Sequence, residues 1–130
     1  MQIKKIKTFN QKDLQELFTS VQWKSAKEPQ RLVEAFKNSS HVVSIWEDEK
    51  LVGLIRSMDD DCWSANIDCL VVHKDFQKKG IGTQLLSELL EDLSKVQYIN
   101  VCPDDKGILN FYEGFGFKIV DGMYLQKVNL

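Results

Sequence analysis

Between residues 71 and 86 the chain changes character twice. An apolar run ends at Val72, a polar turn containing Lys78, Lys79, Gly80 and Gly82 follows, and from Thr83 onward leucines recur at helical spacing. The order is strand, loop, helix. Two glycines this close together let the main chain approach a ligand, and the first turn of the helix behind them carries unpaired N–H groups and the positive end of a dipole. Such a loop suits an anion, most often phosphate. Two familiar phosphate-binding patterns do not fit. A nucleotide P-loop needs Lys-Ser/Thr directly after its last glycine, where this chain has Thr83-Gln84, and a dinucleotide fingerprint needs a third glycine where this chain has Leu85.

The stretch Gln77-Lys78-Lys79-Gly80-Ile81-Gly82 resembles instead the Q/R-x-x-G-x-G/A signature of the GNAT (Gcn5-related) N-acetyltransferases. A second segment, running from Asp105 through Phe111-Tyr112 to Gly116-Phe117, is similar to the ending of that family, where a short helix carries Phe-Tyr and a Gly-Phe turn leads into the next strand. The resemblance implies an α/β (mixed α+β) fold, with a central mixed, mostly antiparallel sheet and helices on both faces. It also implies acetyl transfer from acetyl-CoA to an amine.

A chain of 130 residues can bury one real core, so residues 1–130 are expected to form a single domain. The formal charge of −2 disfavours a nucleic-acid partner, although a local lysine cluster can still hold a phosphate. No apolar run approaches a membrane span, and Met1 to Lys5 leads into no hydrophobic signal core, so no membrane partner and a cytoplasmic location are expected. Cys62, Cys69 and Cys102 are odd in number without C-x-x-C spacing, and His41 and His73 lie far apart, which leaves a zinc site little support. Buried or half-buried free thiols and no metal are the expectation.

Taken in order, Ile3 to Thr8 reads as an edge strand with lysines that discourage further pairing. Asn10 is a candidate N-cap for a helix over 11–20 whose stripe is Leu14, Leu17, Phe18 and Val21. Pro29 suits the first turn of a second helix carrying Leu32, Val33 and Phe36. Residues 42–46 and 51–58 read as a hairpin closed by a charged four-residue turn, and Asp59-Asp60-Asp61 as a solvated turn. Trp63 to Val72 reads as a strand with Ile67, Cys69 and Val71 on one face and Asn66, Asp68, Leu70 and Val72 on the other. Leu85, Leu86, Leu89, Leu90 and Leu93 form a buried helical stripe, and 98–102 is the next strand. Strands at 117–120 and 123–128 complete the expected order β-α-α-β-β-β-α-β-α-β-β.

By resemblance, the cofactor-binding loop comprises Gln77, Lys78, Lys79, Gly80, Ile81, Gly82 and Thr83. The main chain at Leu70, Val71 and Val72 would hold the pantetheine arm where the strand bulges and splays from its neighbour. Asp105 stands where the family often has Asn against the cofactor, and an ionised Asp accepts but does not donate. Tyr112 occupies the family position whose hydroxyl faces the CoA sulfur, and a phenol of ordinary pKa about 10 is a workable acid toward a thiolate. The family's histone-acetylating branch has a glutamate matching Asn66, which cannot serve as base. Asp68, two residues on and on the same face, could replace it directly or through a water, or could instead be a hydrogen-bond post for the splayed strand. Trp23 is read as a wall of the acceptor site or as a core side chain, and Trp63 with the three aspartates as a surface for an amine cation or as plain surface. The acceptor class stays open between a small-molecule amine and a peptide amine, and a homodimer is left open as the assembly. The rival reading is a CoA-binding regulator or sensor that kept the fold without the turnover.

Overall fold

The computed structural model describes residues 1–103, 106–120, 122 and 125–128. Five strands form one sheet in sequence order: β1 (Gln2–Lys4), β2 (His41–Glu47), β3 (Lys50–Asp59), β4 (Ser64–Val72) and β5 (Tyr98–Val101). The first three pairings are antiparallel and β4–β5 is parallel. Helices α1 (Gln11–Ser20) and α2 (Pro29–Lys37) cover one face, and α3 (Ile81–Asp92) with the short α4 (Leu109–Glu113) covers the other.

Local chemistry accounts for the helix boundaries. Asn10 is extended and its side-chain oxygen accepts from the Asp13 N–H at 2.8 Å, so α1 starts where its first orphan donors find an acceptor. Pro29 opens α2 in its first turn, where a missing N–H costs nothing. Leu14, Leu17, Phe18, Leu32 and Phe36 then bury against Val42, Leu51, Leu54 and Val71. On the far face Leu85, Leu86, Leu89 and Leu93 pack on Val43, Ile45, Val52, Ile55 and Ile67. Each such side chain contributes about 1.5–3 kcal/mol by leaving water.

One glycine decides how closely α3 can sit. A Cβ at Gly53 on β3 would lie 2.8 Å from Ile81 Cγ2 and 3.0 Å from Leu85 Cδ1, closer than such atoms approach. The bare backbone there lets the first turn of α3, and with it the glycine loop, press onto the sheet.

Several expectations need correction. β1 stops at Lys4, short of the strand expected to run to Thr8. The hairpin turn is two residues, Asp48-Glu49, because Glu47 and Lys50 still pair, and Asp48 takes φ +53 to close it. Trp63 precedes β4 and is exposed. Residues 117–120 form no strand: Gly116 turns the chain at φ +91, the Phe117 N–H donates to the Tyr112 carbonyl, and the Phe117 ring packs on Tyr112. Of the strand expected at 123–128, residues 125–128 form no strand among the described residues, and 123 and 124 lie outside them. Cys62 and Cys102 are exposed, and Cys69 alone of the three is half-buried.

Candidate active site

The glycine loop is tied to the sheet where it leaves β4. At its start the His73 N–H donates to the Val52 carbonyl at 2.8 Å, and His73 Nδ1 accepts from the Asp75 N–H at 3.1 Å. The imidazole is buried edge-on to Phe76. Gln77 Nε2 donates to the Val72 carbonyl at 3.1 Å and so holds the loop to the end of β4. Lys78 (φ +63) and Gly80 (φ +81) are both left-handed, a geometry that turns successive N–H groups toward one concavity. Among the described residues, no atom beyond its chain neighbours lies within 4 Å of where a Gly80 Cβ would stand, and no side chain caps the first N–H groups of α3. Lys78 and Lys79 are exposed beside it, Lys79 Nζ lying 5.1 Å over the Phe76 ring. The loop therefore offers donors, positive charge and open space together.

β4 supplies the second wall. It pairs with β5 only from Ser64↔Tyr98 to Ile67↔Val101, and beyond Ile67 no described strand covers that edge. Against β3 the register shifts between Leu54↔Val71 and Arg56↔Asp68, so Cys69 and Leu70 face the single residue Ile55. Cys69 carries this bulge at φ +57, a conformation that costs a non-glycine residue about 1–3 kcal/mol. The bulge reverses the alternation. Ile67, Leu70 and Val72 pack toward α3, while Cys69 and Val71 pack toward α1 and α2, so the expected grouping of Ile67 with Cys69 and Val71 fails.

Asp68 sits at the foot of the bulge. Its Oδ1 accepts from the Cys69 N–H at 2.7 Å, and its Oδ2 pairs with Arg56 Nη2 at 2.9 Å. The Asp68 side chain is 56 % exposed and that of Arg56 17 %. Burial first, and then the nearby Asp68 charge, pushes the Cys69 thiol up to about 12, so it is a neutral packing group at physiological pH.

Tyr112 is 5 % exposed on α4, its ring edge-on to Phe111 and Phe117 at 5.2 and 5.6 Å. A Cβ added at Gly82 would lie 3.8 Å from the Phe111 ring and 3.9 Å from Val72 Cγ2. The first turn of α3, the end of β4 and the Phe111-Tyr112 helix thus converge on one place. Asp105 lies outside the described residues.

A profile of the GNAT acetyltransferase domain matches residues 6–127. The uncharacterized N-acetyltransferase ycf52 of Pyropia yezoensis is 33% identical over 127 residues, covering 90% of this chain and 70% of that protein. The chain belongs to the GNAT acetyltransferases. Among solved structures, a GNAT family acetyltransferase of Streptococcus pneumoniae is 26% identical with a TM-score of 0.82, covering 98% of this chain and 97% of that one. An aminoglycoside 6'-N-acetyltransferase complexed with coenzyme A has the same fold, with a TM-score of 0.78 over 93% of this chain and 87% of that one at 19% identity.

Other singled-out residues of this GNAT chain lie elsewhere. Trp23 is half-buried, edge-on to Phe18 at 5.5 Å, which is the packing of a core side chain. Trp63 pairs edge-on with Tyr98, both exposed. The aspartate turn is at the end of the sheet opposite the glycine loop, and Asp59 is not solvated: its side chain is 1 % exposed, accepts from Ser57 Oγ at 2.7 Å and pairs with His41 Nδ1 at 2.8 Å. Strand pairing brings together two residues that sequence separation had set apart, and Asp61 lies close enough that ligand atoms of all three are within 4.8 Å of one another. Arg56 and Gly53 were missed by the sequence reading. A lone glycine inside a strand pattern was a usable signal for Gly53, whereas Arg56 becomes notable only once β3 and β4 are paired. No described helix is long and apolar enough to cross a membrane.

Proposed function

We propose that residues 1–130 form one cytoplasmic domain that transfers an acetyl group from acetyl-CoA to a primary amine of a small molecule or peptide, by direct attack in a ternary complex. The observation that carries this reading is the convergence of an uncapped, left-handed glycine loop with a β4 edge that has no described strand partner beyond Ile67. Gln77 to Thr83 would receive the pyrophosphate on backbone N–H groups, with Lys78 and Lys79 adding charge. The main chain of Leu70, Val71 and Val72 would run beside the pantetheine. The relative crystallised with coenzyme A shares this fold, which supports the same use of the cleft here.

Acyl transfer from a thioester to an amine forms a C–N bond, breaks a C–S bond, and passes through a tetrahedral oxyanion. Backbone N–H groups near Val71 would face the developing oxyanion. Tyr112 would give its phenolic proton to the departing thiolate and recover one from solvent. Asp68 is the proposed acceptor of the amine's proton, directly or through a water, and its exposed half lies on the face of α1 and α2. Both of its oxygens already have partners, so the proton would enter on a remaining lone pair.

Free-thiol release from acetyl-CoA, measured with a panel of polyamines, amino sugars, aryl amines, amino acids and peptide amines, tests the reading. Amine-dependent release is expected with at least one class. Tight acetyl-CoA binding with no release across the panel would favour the regulator or sensor instead.

A further inference from the structure

We propose that Arg56 is a positioning residue for acyl transfer, acting through Asp68 to hold the β4 bulge in the shape that presents the backbone beyond it to the thioester. This rests on the acetyltransferase reading above. The bulge is costly to hold. Cys69 is a side-chain-bearing residue at φ +57, and nothing in its own chemistry favours that conformation, so surrounding contacts must impose it. One contact is direct: Asp68 Oδ1 accepts the Cys69 N–H at 2.7 Å and so occupies the donor that the bulge takes out of the strand ladder. The carboxylate making that bond is itself fixed, because Oδ2 meets Arg56 Nη2 at 2.9 Å.

Arg56 is in turn anchored to a different layer of the protein. Its Nη1 donates to the Ala35 carbonyl at 3.4 Å and to Ser39 Oγ at 3.3 Å, both at the C-terminal end of α2, and its guanidinium carbon lies 5.7 Å over the Phe36 ring. Its Nε is buried with no hydrogen-bond partner among the described residues. An arginine with a buried, unpaired nitrogen is expensive, and here it forms a strut from the end of α2 across β3 to the bulge of β4. The guanidinium fork can span both anchors at once, which a lysine ammonium cannot do with the same geometry. The chain Ala35 and Ser39 to Arg56 to Asp68 to Cys69 N–H therefore fixes where residues 70–72 leave the sheet.

The experiment compares the 130-residue chain with Arg56→Met, which keeps the aliphatic stem over Phe36, and with Arg56→Lys. Three quantities are read: kcat for acetyl transfer across pH, Kd for CoA, and amide hydrogen exchange at Cys69 and at Gly80. In Arg56→Met, kcat should fall on the order of 10²-fold, the loss expected for about 1 Å of misplacement, and most of that deficit should persist at high pH, where free amine is plentiful. CoA affinity should change by less than about threefold, because the glycine loop is a separate anchor. Cys69 exchange should accelerate by about tenfold or more while Gly80 exchange stays as in the parent, and Arg56→Lys should recover part of the kcat. A deficit that vanishes at high pH would overturn the proposal, since Arg56 would then act by tuning Asp68 as a base. Cys69 exchange equal to the parent's would overturn it as well. If Arg56→Met does not fold, Arg56→Lys carries the test, with an intermediate loss that mostly persists at high pH expected and parental turnover contradicting it. Should the parent itself release no thiol with any amine, the acetyltransferase reading fails, and Cys69 exchange still decides whether Arg56 holds the bulge.

Discussion

The glycine loop and the β4 bulge both depend on left-handed residues, on different terms. In the loop, Gly80 takes φ +81 with open space around it, so its own lack of a side chain permits the turn. In the bulge, Cys69 takes φ +57 with a half-buried thiol, and the conformation is imposed by Asp68, by Arg56 and through them by α2. One wall of the cleft is written locally, and the other is assembled from three distant stretches of chain. The loop can therefore be recognised, transplanted or destroyed by changes within a few residues. The bulge answers to substitutions on other elements.

The sharpest way to test this division is to separate binding from chemistry. If the loop supplies affinity and the bulge side with Tyr112 supplies turnover, Tyr112→Phe should lower kcat by about 10²–10⁴-fold while leaving acetyl-CoA affinity near the parent's, because the ring that packs against Phe111 and Phe117 remains. Steady-state kinetics beside calorimetric titration would show it. Unchanged turnover with chemistry rate-limiting would return Tyr112 to the core.

A smaller effect compares the two left-handed residues directly. Gly80→Ala places a Cβ at φ +81 and should cost about 1–2 kcal/mol in denaturant unfolding, although no atom among the described residues beyond its neighbours blocks the new methyl. Cys69→Gly relieves the same kind of strain while losing a half-buried thiol, so its net change should stay within about 1 kcal/mol. Equal losses in the two variants would mean that Cys69 carries no strain to relieve.

The effect that is smallest at neutral pH appears only in alkaline solution. Burial raises the Cys69 thiol from its ordinary 9.0 to about 12. The unfolded chain loses that proton first as pH rises, so the associated stability is fully present below pH 9 and is lost between 9 and about 12. At pH 8.5 a thiol reagent should label exposed Cys62 and Cys102 and spare Cys69. Alkaline loss of stability should be shallower in Cys69→Gly, and an identical slope would show that another group dominates.

Legibility in the sequence followed the same division. Asn10, Pro29, the leucine stripe of α3 and the glycine loop act through neighbours within a turn or two; α1 came out at Gln11–Ser20 and α2 at Pro29, while α3 starts at Ile81, two residues before the expected Thr83. The bulge was expected only by resemblance, and its consequence for which face Val71 and Leu70 occupy was missed, because one extra residue reverses a period of two. Arg56, Gly53 and the His41 to Asp59 pair depend on strand register, which no local pattern specifies. Residues 117–120 alternate well enough for a strand, but the Phe117 N–H and ring are taken up by Tyr112.

The central claim is that the loop and the splayed edge of β4 are two walls of one acyl-CoA cleft. Titrating acetyl-CoA into ¹⁵N-labelled protein tests it most directly. Amides of Gly80 to Thr83 and amides of Leu70 to Val72 should shift together along one saturation curve, with His41 and Asp59 at the opposite end of the sheet unmoved. Saturable shifts confined to the loop, or no saturable shifts at either wall at millimolar acetyl-CoA, would contradict it.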